Sequence, residues 1–407
     1  MVASTAAAAC TSGSSAAPSL GAIRSLLAAH AAAVRGDDAA AYSGDLAAGA
    51  ASSAFRARQR SVIANLGRLR FASWIYVAPL RTDDRQAERA ASAKYRRPAV
   101  IVRVTLRYAL RGYDTRPAEE DLYWTFVEQG GRARIAGDTD LVSAGGDSWR
   151  GPWDFGELAA VRARDTIVLG HPAQLPLMRT AAAAIAAAVP AVTAVWGDDW
   201  PRRVVALVPA SNAELAADVG ETDDDLSAVS ALAVSADKST TTGAVSGQRL
   251  IVNPAQFDRL SALGRRIVVR HETTHIAAAV ATSDIMPRWV VEGFAEYVGN
   301  LGAGQPTAVA ASELRAQVRR AGPPQALPGD AAFDSTTAAQ AYEEAWLACR
   351  LIAARAGQSG LVRFYRLVGS PSAPYDDPVG PALRSTLGES AAAFTAQWRR
   401  YVGEQLR

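Results

Sequence analysis

The sequence contains few cysteines and histidines and has no large excess of positive charge, and two of these shortages exclude a class of protein. Two cysteines in 407 residues cannot form a disulfide framework. The 43 lysine and arginine residues are balanced by 40 acidic residues, and no basic run or basic-aromatic platform is present, so we expect no nucleic-acid partner. Because the chain has four histidines, a pattern that two of them form together is informative.

A convincing membrane-spanning segment is also missing. The best candidate, TAAAAIAAAVPAVTAVW over 180–196, is mostly alanine and contains Pro190. It falls short of the ~20 strongly apolar residues that a span needs. We therefore predict a buried helix at this position.

The first 19 residues are rich in small side chains and predict a disordered terminus. Cys10 follows a run of small residues and precedes a Ser/Gly/Ala/Pro tail, an arrangement that resembles the cleavage region of bacterial lipoproteins. That resemblance implies a lipidated Cys10 and a secreted or cell-surface protein. A basic n-region and a full apolar h-region are missing. The other interpretation is therefore an unprocessed terminus with an incidental cysteine, on a cytoplasmic protein.

The length predicts two or three domains. In the first, over 20–142, helical patterns come before strand patterns. These patterns cover 20–45 (with a break at Gly36), 50–66, 71–80, 99–110 and 121–137. Alternate apolar residues in 99–110 predict one buried face, and Gly130-Gly131 predicts a hairpin turn. Helices followed by a curved antiparallel meander resemble the nuclear-transport-factor-like cone fold. The resemblance leaves open an enclosed pocket or a filled core used for structure or docking.

The second half predicts a different arrangement. Residues 143–164, where Gly, Ser and Pro cluster, predict an interdomain connection. A small mixed sheet with helices is expected over 165–304, with a pairing of 227–236 with 249–254 inside it. Helices alone are expected over 305–407. The fold class is therefore α+β.

The motif HETTH places two of the four histidines together. His271 and His275 are four residues apart, so a helix presents both imidazoles on one face. Two neutral imidazole nitrogens suit Zn²⁺. Glu272 projects beside such an ion, where a general base takes a proton from a metal-bound water. The motif therefore predicts part of a catalytic zinc site.

A catalytic zinc site usually has three protein ligands, so a third must come from elsewhere. The segment PRWVVEGFAEYVGN predicts a helix that starts after Pro287 and carries Glu292 and Glu296 on one side. The 16 residues between His275 and Glu292 leave room for a turn and an antiparallel return. Glu292 is the predicted third ligand. Glu296 is predicted to accept the second N–H of a ligand histidine and so to fix its ring.

H-E-x-x-H followed by W-x-x-E-G-x-A-E-Y resembles the gluzincin zinc peptidases, and most closely the bacterial peptidase MA-like domain. The resemblance covers about 165–407, and the loop between the two motif helices is shorter than in the aminopeptidases. It implies a Zn²⁺-dependent hydrolase that cleaves peptides or proteins. His271, His275 and Glu292 would be the ligands and Glu272 the base, with Glu296 behind the ligand shell.

Two further roles follow only from that resemblance. An edge strand that pairs with the substrate backbone is expected before the zinc helix. It corresponds to RLIV, which is Arg249, Leu250, Ile251 and Val252. An ordinary edge strand is the other interpretation of RLIV. A tyrosine from a later helix is expected to stabilise the tetrahedral oxyanion. Tyr342 is the first candidate and Tyr297 the second, although Tyr342 also fits a packed helix residue.

A second hypothesis comes from a different class of protein. The chain would be a cell-surface binding or scaffold protein whose first domain binds a ligand, and the metal site would be structural or inactive. In either case we expect a monomer. No acidic motif for a free N-terminus is recognisable, which favours endopeptidase over aminopeptidase action.

Overall fold

A computed structural model describes residues 16–219, 229–235, 237–239 and 244–407. Cys10 and its predicted lipidation lie outside these residues. The chain divides into two compact units, Met1–Arg111 with Pro117–Glu157, and Gly112–Arg116 with Leu158–Arg407. Each unit combines helices with sheet, so the predicted α+β class is confirmed.

The described part of the first unit contains helices α1 to α4 and an antiparallel sheet in the order β1-β2-β3-β4. Their bounds are α1 Leu20–Arg35, α2 Ala39–Gly44, α3 Ser53–Leu66, β1 Phe71–Arg81, α4 Arg85–Tyr95, β2 Ala99–Leu110, β3 Ala118–Gln129 and β4 Arg132–Gly137. The side chains of Ser19 and Asp38 cap the first two helices by accepting backbone N–H bonds. The predicted helix break at Gly36 is therefore confirmed.

The central strand β2 is buried on more than the predicted face. Val102 and Val104 on that face are fully buried, but Ile101 on the opposite face is also 0 % exposed. Ile101 packs against Ala87 of α4 and Leu141. The sequence did not predict α4, because its pattern is polar and it buries little beyond alanine and a glutamate paired with Arg81.

The hairpin between β3 and β4 follows from its two glycines. Gly130 has φ of +62° and Gly131 has φ of +73°. Two consecutive residues with positive φ make the turn whose twist matches antiparallel strands, and glycine adopts it without strain. The predicted hairpin is confirmed.

The boundary between the two units lies after Glu157, inside the segment 143–164 that the sequence predicts as a connection. Residues up to Glu157 cluster with the first unit, and Leu158 onward with the second. The rings of Trp149 and Trp153 lie 5.7 Å and 5.3 Å from that of Tyr108. Burial of large aromatic rings stabilises a segment that its glycines and prolines made look like a linker.

The second unit holds a mixed sheet in the order β5-β6-β7-β11-β8 and a separate antiparallel pair, β9 and β10. Strand β7 is parallel to both neighbours, whereas β5 and β8 are antiparallel to theirs. The strands are β5 Ala159–Ala163, β6 Thr166–Gly170, β7 Val204–Val208, β8 Ala231–Val234, β9 Asp237–Ser239, β10 Ala244–Ser246 and β11 Arg249–Val252. The predicted pairing of β8 with β11 is confirmed.

The described helices of this unit surround the five-stranded sheet and the core beside it. Their bounds are α5 Leu175–Trp196, α6 Asn212–Val219, α7 Pro254–Phe257, α8 Ala262–Ala278, α9 Arg288–Asn300, α10 Thr307–Ala310, α11 Ser312–Ala321, α12 Ala338–Val368, α13 Val379–Leu387 and α14 Ala391–Gln405. Gly357 interrupts α12 with φ of +75°, so the element consists of two helices joined at a kink.

Helix α5 contains the apolar stretch considered above as a membrane span. Among the described residues, the segment Pro172–Trp196 is long and apolar enough to cross a membrane by length and composition. Its inner face nevertheless belongs to the core, and Met178, Ile185 and Val192 are each 0 % exposed. This packing agrees with the predicted buried helix.

The two histidines outside the motif are buried and bonded to carboxylates. His30 Nδ1 lies 3.1 Å from Asp45 Oδ2, and the His30 ring stacks on Tyr42. His171 Nε2 lies 2.8 Å from Glu214 Oε1. Neither belongs to the motif, and each has a carboxylate partner inside its own unit.

Asp154 should make the stability of the first unit depend on pH. Burial raises the pKa of Asp154 to about 6, while Arg150 and Arg58 oppose that shift. A carboxyl whose pKa is higher in the folded state stabilises the fold below its unfolded pKa, near 4. That contribution is lost as the pH rises to about 6. Asp154→Asn should therefore be more stable than the wild type above pH 6, by at most about 3 kcal/mol.

The measurement is chemical denaturation of the two proteins at several pH values. The advantage of Asp154→Asn should grow between about pH 4 and pH 6 and stay constant above. Asp198→Asn, on an exposed carboxylate in an i,i+4 pair with Arg202, is the control. An advantage of Asp154→Asn that does not change with pH would contradict the assignment.

Candidate metal centre

Helix α8 carries the HETTH motif into the interior. Ser261 caps its first turn by accepting from the Gly264 N–H. His271 and Glu272 are 8 % and 7 % exposed. Thr273 and Thr274 are buried beside them, and their hydroxyls donate to carbonyls one turn earlier. The motif can therefore be polar and buried without leaving these hydroxyls unsatisfied.

Helix α9 brings the predicted third ligand to the two histidines. Glu292 Oε2 lies 3.2 Å from His271 Nε2 and 3.4 Å from His275 Nε2. The two Nε2 atoms are 3.0 Å apart. These three residues form a group that could hold a metal ion. The structure thus brings together the residues that the sequence picked out on two separate segments.

The separations between the three donor atoms fit zinc. Ligands 2.0–2.1 Å from a tetrahedral ion lie about 3.3–3.4 Å from one another. The observed separations of 3.0 to 3.4 Å between the donor atoms are close to these ligand–ligand distances. Two imidazoles and one carboxylate are also a donor set found in catalytic zinc sites. The residues present therefore fit the ion.

Two helix glycines let α9 approach its neighbours closely. Gly293 follows Glu292, and a Cβ atom built on it would lie 2.4 Å from the carbonyl oxygen of Ala345 in α12. A Cβ atom on Gly299 would lie 3.0 Å from the carbonyl oxygen of Ile267 in α8. A side chain at Gly293 would push α9 away from α12 and move Glu292. The glycine of the E-G pair therefore has a packing role.

Charge and burial act against each other at Glu292 and His271. Burial alone would raise the pKa of Glu292, but the charge of His275 and hydrogen bonds from both histidines hold it well below its usual range. Burial alone would lower the pKa of His271, yet its bonds with Glu292 and Glu296 raise it well above the usual value. The carboxylates thus favour positive charge at the imidazoles, whether a proton or a metal ion supplies it.

Glu296 lies behind His271, as the sequence predicted. Its Oε1 is 3.2 Å from His271 Nδ1, on the side of the ring away from Glu292. A carboxylate at that nitrogen fixes the imidazole tautomer with the proton on Nδ1 and leaves Nε2 free to bind a metal. This geometry agrees with the supporting role proposed for Glu296.

Glu272 is next to the ligands but outside the group of three. Its Oε2 accepts the backbone N–H of Ala233 in β8 at 2.8 Å. Burial raises the pKa of Glu272, and His271 and His275 oppose that shift. The side chain predicted to be the base is therefore anchored to a strand of the five-stranded sheet.

The predicted substrate strand has the wrong position in that sheet. Residues Arg249–Val252 form β11, which pairs with β7 on one side and with β8 on the other. Its backbone groups are therefore already used. The Arg249 side chain is also buried, in a two-bond ion pair with Asp114 at 2.7 Å and 3.1 Å. Among the described residues, the edge strands of this sheet are β5 and β8, and β8, Ala231–Val234, is the one next to β11.

Strand β8 therefore has the edge position that was predicted for RLIV. Ser230 O accepts from Asn253 N on the β11 side, whereas Ala233 N points to Glu272. Since successive residues of a strand face opposite sides, Ala231 and Ala233 present their backbone groups to the open edge. The run ALAV had no polar or turn signal that would mark it as the edge.

Tyr342 lies near the ligands on helix α12. Its ring is 6.2 Å from that of His271 and packs edge-on against Phe333 at 5.1 Å. Burial, followed by the charge of Glu292, raises the pKa of Tyr342. The phenol is thus a neutral donor at neutral pH. Tyr297, the second candidate, is half-buried against the core.

Comparisons with known proteins give little. No family model matches the sequence, and no curated protein matches it. Among solved structures, the chain is similar to a mutant of an M1 zinc metallopeptidase from Deinococcus radiodurans, with 15 % identity and a TM-score of 0.34. The match covers 67 % of this chain and 58 % of the metallopeptidase, so the chain spans less than two thirds of the length of that enzyme. A likeness this slight does not bear on the site.

Gly293→Ala tests the packing that places Glu292. Overpacking a helix contact costs about 1–3 kcal/mol, and the displaced α9 should also weaken zinc binding. Both effects are measured, by denaturation and by competition for zinc with a chelator. Gly264→Ala is the control, because a Cβ atom there would lie 3.4 Å from its nearest neighbour, an ordinary contact. Equal behaviour of the two variants would contradict the role of Gly293.

Proposed function

We propose that the second unit is a zinc-dependent peptidase domain that hydrolyses peptide bonds. The observation that carries the proposal is the group His271, His275 and Glu292, with donor atoms at spacings that fit zinc. Glu272 and the edge of β8 lie beside it. A structural zinc site would need neither a carboxylate beside the ligands that does not bind the ion nor an open strand edge.

A zinc ion held by these three side chains would polarise the substrate carbonyl and activate a water for attack. Glu272 would accept one proton from the attacking water and deliver it to the leaving nitrogen as the C–N bond breaks. Glu272 is 7 % exposed and its Oε2 accepts the Ala233 N–H, so the carboxylate is held in place beside the three ligands. Tyr342 would donate its hydroxyl to the oxygen that gains charge.

Strand β8 is the proposed site for the substrate backbone, in place of β11. An extended peptide paired with the open edge would bond with Ala231 and Ala233 and lie directly above Glu272. Main-chain pairing gives affinity with little dependence on the substrate side chains. The proposed substrate is thus a peptide or protein in extended conformation.

The location, the membrane anchoring and the oligomeric state of the protein are further proposals. A secreted or cell-surface location, lipid anchoring through Cys10 and a monomeric state are proposals on the sequence alone. Residue 10 lies outside the described residues. The scaffold hypothesis predicts a zinc site without turnover, so the two experiments below separate it from a peptidase.

Zinc binding is the first test. The purified chain should bind one equivalent of Zn²⁺, and removal of the ion should lower the melting temperature, because the three ligand side chains lose their shared partner. His271→Ala should lose the ion. His171→Ala removes a buried histidine bonded to Glu214 instead and should still bind one equivalent. A wild-type chain without stoichiometric zinc would refute the metal centre.

Glu272→Gln separates hydrolysis from metal binding. The amide keeps the size of the side chain but cannot take a proton, so zinc content should stay at one equivalent. Hydrolysis of a peptide library should fall by about 10²–10⁴-fold. Glu313→Gln, on an exposed helix position, should match the wild type. If Glu272→Gln cleaves the library as fast as the wild type, Glu272 is not the base.

A further inference from the structure

The last turn of α9 lies directly against the ligand His271. A Cβ atom on Gly299 would lie 3.6 Å from His271 Cβ and 3.0 Å from Ile267 O, so the absence of a side chain permits this approach. Glu296 and Asn300 occupy the same turn. The hydrogen bonds of Glu296 and Asn300 can therefore influence the position of the His271 imidazole.

The Glu296 carboxylate has a partner for each of its oxygens. Oε1 lies 3.2 Å from His271 Nδ1, and Oε2 accepts from Asn300 Nδ2 at 2.8 Å. Asn300 Nδ2 also bonds with the Glu296 backbone carbonyl at 3.0 Å. The side-chain amide thus ties the carboxylate to the main chain of its own helix.

The end of α9 is in turn attached to α8. Arg270 Nη1 donates to the carbonyl oxygen of Leu301 at 2.8 Å, and Arg266 Nη2 to that of Gly302 at 3.4 Å. A cation at a helix C-terminus bonds with carbonyls that lack partners and interacts favourably with the helix dipole. Asn300 therefore belongs to a turn that is held in place on the helix of the histidines.

We propose that Asn300 is a positioning residue for the metal ligand His271. The Glu296 side chain is 24 % exposed, so without a second partner its carboxylate could rotate toward water. Asn300 restricts that rotation, which keeps Oε1 at His271 Nδ1. His271 Nε2 is then held without a proton, on the side of the ring that faces Glu292, where it can bind the ion. The inference rests on the proposed zinc centre and adds a residue that does not touch the ion.

A purely structural role for Asn300 makes a different prediction. The bond to the Glu296 carbonyl alone would stabilise the helix end, as asparagine often does. Its loss would lower the melting temperature of the metal-free chain and leave zinc affinity unchanged. Zinc affinity is therefore the measurement that separates the two roles.

The experiment compares the full-length wild type with Asn300→Ala, Asn300→Leu and Leu301→Ala. Asn300→Leu keeps the side-chain volume and removes the amide. Leu301→Ala changes a neighbour that is 39 % exposed and keeps the carbonyl bonded with Arg270. Zinc affinity is measured by competition with a chelator at one pH, and melting is measured without metal.

Both Asn300 variants should bind zinc about 3- to 10-fold more weakly than the wild type. Loss of a direct partner of a ligand costs about 10–100-fold, and a residue one step further should cost less. Leu301→Ala should match the wild type. Unchanged zinc affinity in either Asn300 variant, whatever its melting temperature, overturns the proposal.

Failure of the proposed function gives a different pattern. A wild type that binds one zinc ion and cleaves no peptide refutes the peptidase, and the comparison of the Asn300 variants still decides the positioning role. A wild type that binds no zinc refutes both. A zinc affinity that Asn300→Ala leaves unchanged refutes the positioning role alone.

Discussion

The close packing of α9 against α8 is the interaction on which the candidate site depends. It sets the carboxylate of Glu292 between the imidazoles of His271 and His275 in a largely buried place. Buried charges cost free energy unless they are paired, and three carboxylates meet two imidazoles here. A divalent cation reduces that excess of negative charge. The same packing that positions the donor atoms would therefore also favour the binding of a cation.

The sequence predicted the site well where the information is local. The four-residue spacing of His271 and His275 fixes their common helix face, and the missing third donor pointed to Glu292. The order of the strands in the sheet was harder to predict from the sequence. Strand β11 is buried on both faces, and its apolar run Leu250–Val252 is typical of an interior strand. The edge position beside it belongs to β8, whose sequence ALAV is also apolar. Which of two such strands lies outside depends on chain crossovers that no local pattern records.

Segments whose burial comes from few residues were also missed. Helix α4 has a polar pattern, and its contribution to the core is a pair of alanines against β2. The stretch around Trp149 and Trp153 has the glycines and prolines of a linker, yet Trp153 is buried and both indoles belong to an aromatic cluster. In both cases the composition suggested an exposed segment, but the contacts of two side chains attach the segment to the rest of its unit. The contact of Phe333 with Tyr342 was likewise not predicted, because it depends on one side chain and on no repeating pattern.

The bond between Glu272 and Ala233 links the proposed base to the proposed substrate strand. The Ala233 N–H has one hydrogen to donate, and Glu272 Oε2 accepts it at 2.8 Å. A peptide that pairs with the open edge of β8 competes for this same donor. Where the peptide succeeds, Glu272 loses a bond that stabilises its charged form and becomes a stronger proton acceptor. Substrate binding and activation of the base would then be coupled through one backbone N–H, which requires β8, and not β11, to be the edge.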